Sequence, residues 1–257
     1  MSRISQITPK IERAYKHISE LESEILAFKN TDPYAVSPKA NPKTGQIQYC
    51  VVEAPDVPVE IRVITGEIIQ SLRSALDYLI VQLLDVEMKQ PDTRTGFPIY
   101  DSRDKFEAEF LGKIKLIQRQ SSIDAIRATK PYKGGNDTLW KLHWLNIRDK
   151  HHMLFVVGMA FASIDAFGHF KRIGAMPTEI ETKGLRWRPV GKSRICPLKV
   201  GDVLFTSPSA EVDQQIEFTC EIAFNESGVC EGEPLLETVH GFAQLVDSVI
   251  SGFIPLL

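Results

Sequence analysis

Apolar residues recur near the start of the chain at alternating steps of four and three: Ile7, Ile11, Ala14, Ile18, Leu21, Ile25 and Phe28. This heptad seam predicts an amphipathic helix that lays one narrow stripe against a single partner helix. Lys10, Glu12, Arg13, Lys16, Glu20, Glu22 and Glu24 fill the intervening positions and read as a solvated face. Thr8 and Pro9 are expected to serve as N-cap and first helical residue. The partner is either a helix of the same chain or the same helix of a second copy, which would make a homodimer through residues 7–28. The pattern leaves both open.

Residues 31–46 hold three prolines and read as a loop, and "IQYCVVEA" after them as a strand. From Pro58 to Met88 a long helix is predicted, with Ile68, Ile69, Leu72, Ala75, Leu76, Leu79, Ile80, Leu83 and Leu84 on a broad apolar face. Residues 102–130 read as short helices, one of them capped by Ser121 and Ser122. Asn136 or Asp137 then caps a further helix running through "LHWLNIRDKHH". Beyond Gly158 the texture changes to strand-like runs. The chain closes on an amphipathic helix through Leu235, Leu236, Val239, Phe242, Leu245, Val246, Val249, Ile250 and Phe253. The expected fold is α+β: an N-terminal helical bundle, an antiparallel β section and a closing C-terminal helix. Residues 1–157 form the mainly helical region and 158–257 the β section with its helix, packed as one compact unit.

With 257 residues, 43% apolar and 25% charged, the composition is that of a globular protein with a sizeable core. No apolar run follows the basic residues at the N-terminus, and no stretch approaches the roughly 18–20 uncharged apolar residues of a membrane span. A cytoplasmic protein without a membrane partner is expected. Cys50, Cys196, Cys220 and Cys230 form no CxxC pair, so reduced thiols are expected rather than a disulfide framework or a zinc site. The chain contains no G-x-S-x-G, no P-loop and no G-x-G-x-x-G, and no cofactor or metal is expected.

The net charge of −3 hides an asymmetry. No Lys or Arg follows Lys199, whereas residues 200–257 carry ten acids, leaving 30 basic residues against 23 acids before them. Lys183 to Lys199 carries six basic residues and no acid. The acidic end and this basic segment are expected to lie together. The competing reading is a polyanion-binding strip formed by Arg186, Trp187, Arg188, Lys192 and Arg194, which would make RNA a partner.

The candidate chemistry lies in "LHWLNIRDKHHMLF", residues 142–155. At ~100° per residue, His143, Asn146 and Lys150 fall within about 40° of Leu139, a polar seam inside an apolar face. Asp149 borders the seam, His151 follows it, and Lys141 and Arg148 point to the expected solvent side. Burying such groups unpaired costs roughly 1–3 kcal/mol each, so each needs a partner. The long helix offers a complementary stripe of Glu67, Gln70, Ser74 and Asp77, with Arg73 at its edge and one turn before Asp77. Arg73, Asp77, His143, Asn146, Asp149, Lys150 and His151 are the site candidates.

"LRSALDYL" followed by "LHWLNIRDKHHML" resembles a family of bacterial proteins without an assigned activity, marked by an "LRSALDHL"-type helix and an "LNxxDKHR"-type motif. The closing "EPLLETVHGFAQLVDSVI" is similar as well. In those relatives the first motif reads Arg-x4-His, the pattern of HEPN-domain ribonucleases, which cleave RNA without metal through an arginine and a histidine brought together by dimerisation. That resemblance implies Arg73 as a phosphate-stabilising group and a seam histidine as acid or base, aided by Lys150. Tyr78 stands where the pattern has its histidine. Two functions follow: a binding or assembly protein whose polar seam specifies helix packing, and a HEPN-like metal-independent ribonuclease.

Overall fold

The computed structural model describes residues 6–165, 186–187, 194–206 and 216–257. Six α-helices and two antiparallel sheets make up the described residues, an α+β fold closed by a C-terminal helix. The helices are α1 (Thr8–Lys29), α2 (Val59–Val86), α3 (Arg103–Lys113), α4 (Gln120–Ala128), α5 (Asp137–Asp149) and α6 (Leu235–Phe253).

α2 is the central rod. Ile61, Ile64, Ile68, Leu72, Ala75, Leu76, Leu79 and Leu83 recur at helical spacing and are buried along it. α1, α5 and α6 pack against it. The heptad seam of α1 thus finds its partner in α2 of the same chain, burying Ala14, Ile18, Leu21 and Ile25. Any self-association through residues 7–28 would have to use the outer face of α1. The helix starts one residue earlier than expected, with Ile7 in the cap position and Thr8 already helical.

Residues 31–46 depart from the loop expectation. Ala35–Ala40 forms strand β1, paired antiparallel with β2 (Ile47–Glu53), and Pro38 stands opposite Tyr49. A proline is tolerated there because β1 is the edge of its sheet and needs no donor on its outer side. β6 (Val203–Thr206) completes this sheet on the far side of β2, so a strand from the C-terminal section closes a sheet begun in the N-terminal region. In the second sheet β3 (Val156–Asp165) lies between β7 (Ile216–Glu226), which β8 (Cys230–Pro234) extends, and the short strands β4 (Arg186–Trp187) and β5 (Arg194–Ile195). Tyr49 and Phe218 bring the two sheets together, their ring centroids 5.6 Å apart.

The start of α4 is also built otherwise than expected. Ser122 lies inside the helix and is buried, and Arg119 holds the cap position. The carboxylate of Glu87, just past α2, accepts the amides of Gln118 (2.8 Å) and Arg119 (2.9 Å). A serine does cap α3: Ser102 accepts the Lys105 amide. Asn136 caps α5 through the Leu139 amide, as its sequence indicates.

Residues 235–256 reach the length and hydropathy of a membrane-crossing helix, which the run of uncharged residues alone does not indicate. The apolar face of α6 is used within the fold: Leu235, Val239, Phe242, Val246, Ile250 and Phe253 are buried, and α6 packs on α1, α2 and α5.

Leu72, fully buried on α2, and Leu26, 59% exposed on α1, calibrate this core. Leu72→Ala is expected to destabilise the fold by roughly 2–5 kcal/mol and Leu26→Ala by less than about 0.5, read from urea unfolding midpoints.

Candidate functional site

α2 and α5 run antiparallel, so the two polar stripes meet at a few defined residues. Arg73 projects from α2 and is only 8% exposed, an unusual place for a charge. Its Nη1 lies 2.7 Å from Asp77 Oδ1, one turn further along. Nη2 donates to the Phe97 carbonyl at 2.8 Å, and Nε reaches His143 Nδ1 on α5 at 3.4 Å. Asp77 Oδ1 accepts the Phe97 amide at 2.8 Å, so the Arg73–Asp77 pair grips both polar groups of one residue. Gly96 makes this approach feasible, since a Cβ there would stand 2.7 Å from Asp77 Oδ1.

The electrostatics follow from this geometry. Burial draws the Arg73 guanidinium below its ordinary value while Asp77 pulls the other way, and the group remains cationic. Burial and the Arg73 charge beside it push His143 down to about 4. His143 is therefore a neutral imidazole at pH 7 that offers Nδ1 as an acceptor.

Of the remaining candidates, Asn146 is buried on α5, and Asp149 is half-buried with its carboxylate over Gly66 of α2. A Cβ at position 66 would approach Asp149 Oδ1 to 2.5 Å, so glycine is what lets the end of α5 sit down on α2. Burial raises the Asp149 carboxyl above its usual range, with His152 opposing. Lys150, expected in the buried seam, is the exposed C-cap of α5. His151 and His152 follow in an exposed turn, outside the helix on which the wheel would place them. On α2, Glu67 is exposed and faces His17 Nε2 at 3.4 Å rather than the seam, and Gln70 is exposed.

Tyr78 is 40% exposed beside Lys10, whose ammonium lies 5.7 Å from its ring centre, while Arg73 is turned inward to α5. The two ends of the Arg-x4-His pattern thus occupy different faces of α2. Among the described residues no group of three His, Cys, Asp or Glu side chains could hold a metal ion.

The helical wheel missed one strong contact. Arg148, assigned to solvent, donates through Nη1 to Glu226 Oε2 (2.6 Å) and through Nη2 to the Ser227 carbonyl (2.8 Å). Glu226 is 3% exposed, and its Oε1 accepts the Phe155 amide at 2.8 Å. Glu226 at the end of β7 thus draws in a side chain that the helical wheel gives to water. No periodicity in α5 signals this, because the partner lies on a strand far along the chain.

The basic strip maps only in part. Arg186 and Trp187 form β4 and Arg194 opens β5, both paired with β3; Arg188 and Lys192 lie outside the described residues. Among the described residues, acids of the C-terminal section meet the helical region in Lys141–Glu233 and Arg148–Glu226, and His240 of α6 meets Glu22 of α1. Compared with family models, curated proteins and solved structures, the chain finds no match.

Two outcomes follow. The folded state holds His143 near 4 against an ordinary 6.5, so the unfolded chain binds the extra proton between those values. Stability is then full above pH 6.5 and falls as the pH drops towards about 4. Urea unfolding at a series of pH values should show a shallower decline for His143→Gln than for the wild type. In the second, Arg148→Ala leaves Glu226 buried without its partner and is expected to cost about 3–5 kcal/mol, whereas Lys150→Ala should fall within about 0.5.

Proposed function

We propose that this chain is a non-catalytic binding or assembly protein and that Arg73, Asp77 and His143 form a structural lock between α2, the turn at 96–97 and α5. One observation supports this reading above the others: Arg73 is buried and turned inward, its Nη2 and Nε donating to the Phe97 carbonyl and His143 and its Nη1 ion-paired with Asp77, so little of the guanidinium is open to a substrate. An arginine that stabilises phosphorane charge must present free N–H groups to the substrate. A histidine pushed to about 4 beside a fixed cation is a weak proton acceptor and, at neutral pH, carries no ionisable proton to donate. The exposed position of His151 removes it from this centre.

The test compares wild type, Arg73→Ala, His143→Ala and His151→Ala by thermal melting and by cleavage of mixed RNA in EDTA. The lock reading expects no cleavage by any of them. It expects Arg73→Ala to lose about 3–5 kcal/mol through the stranded Asp77 and Phe97 groups, and His151→Ala to melt with the wild type. RNA cleavage by the wild type that disappears in a normally folded Arg73→Ala or His143→Ala would overturn it in favour of HEPN-like chemistry.

A further inference from the structure

The turn gripped by the lock is also one wall of a cleft. Its free volume is about 170 Å³, and it opens between residues 92–96, the end of α3 and residues 114–117. The floor is apolar: Ile80 and Leu84 come from α2, and Ile114 and Ile117 follow α3, all four buried. The rim is basic, with Arg94, Lys113 and Lys115 against one carboxylate, Asp92. Asp92 is occupied by its own turn, where Oδ1 accepts the Arg94 amide (2.9 Å) and the Thr95 hydroxyl (3.0 Å). Lys113 donates to the Arg94 carbonyl at 2.8 Å and so clasps the two walls. The Arg94 guanidinium and the Lys115 ammonium make no hydrogen bond or close ion pair with a described residue, and both act on the Asp92 carboxylate through space.

The geometry points to a site for a small organic anion, with a ring-sized apolar body on the floor and a carboxylate or phosphate head between Arg94 and Lys115. Size supports the body, because a cavity of ~150 Å³ lined by apolar side chains holds benzene. Charge supports the head, because three cations against the single Asp92 carboxylate leave the rim of an apolar recess net positive, which favours an anionic end through charge-assisted hydrogen bonds. The lock fixes the Phe97 peptide and thereby presets the wall from which Arg94 projects. This inference names a ligand class for a binding protein at a site separate from the lock, so it can fail without affecting that reading.

Gly112 supplies a clean control. It lines the cleft near the end of α3, and an added Cβ would meet nothing within 4 Å, so Gly112→Leu adds apolar bulk at the cleft wall without a clash at its Cβ. The experiment is titration of the full chain with benzoate, phenyl phosphate, benzyl alcohol and inorganic phosphate, followed by ligand-observed NMR and calorimetry. Benzoate or phenyl phosphate is expected to bind, and the stronger of the two identifies the head group. Arg94→Ala with Lys115→Ala is expected to weaken binding about tenfold or more, and Gly112→Leu to weaken it with melting unchanged. Equal binding of benzyl alcohol would overturn the anionic head, and equal binding of inorganic phosphate the apolar body. Absence of binding by all four at millimolar concentration, or undiminished binding to Gly112→Leu, would overturn the site.

Discussion

A charge buried in the wall of the longest helix is the constraint around which much of this fold is arranged. The Arg73 guanidinium has left water almost completely, and a cation in that position is tolerated only if its charge is paired and acceptors come within reach. Asp77 supplies the countercharge from one turn away, and the Phe97 carbonyl supplies an acceptor from a turn that must come close. That approach requires a residue without a side chain at 96. Burial and the same cation hold His143 neutral, so α5 presents an acceptor rather than a second positive charge to α2.

A second buried pair governs the other side of α5. Glu226 reaches Arg148 and the Phe155 amide together, tying the C-terminal end of the helix to the sheet that follows it. Between these two points α5 is held by apolar packing through Leu139, Leu142 and Leu145. α5 is thus the strut between the helical bundle and the second sheet, and its polar groups are largely consumed in holding it there. Arg73, Asp77 and His143, and likewise Arg148 and Glu226, are mutual partners. Beside Gly96, on the other side of the turn that Arg73 and Asp77 hold, lies the basic-rimmed cleft.

Much of this was legible in the chain. The heptad of α1, the broad face of α2 and the spacing in α6 each placed their buried residues correctly, because helical periodicity is a property of local backbone geometry. Arg73, Asp77 and His143 stood out for the same reason, as polar residues beside apolar stripes. Other features were not legible. Pro38 suggested a loop because its tolerance in a strand depends on lying at a sheet edge, which is known only once the strands are paired. Ser121 and Ser122 had the composition of a cap, yet the amides before α4 are served by Glu87, some thirty residues away.

The sequence by itself determined the α+β class, the positions of the main helices and which residues each would turn inward, since these depend on neighbours within a few residues. Tertiary structure alone decided that the α1 seam closes on α2, that Arg73 meets His143 while Glu67 and Lys150 do not, and that Arg148 faces Glu226 rather than water. The reason is physical: a polar side chain's fate depends on which distant acceptor the folded chain brings within about 3 Å, and no periodicity carries that distance.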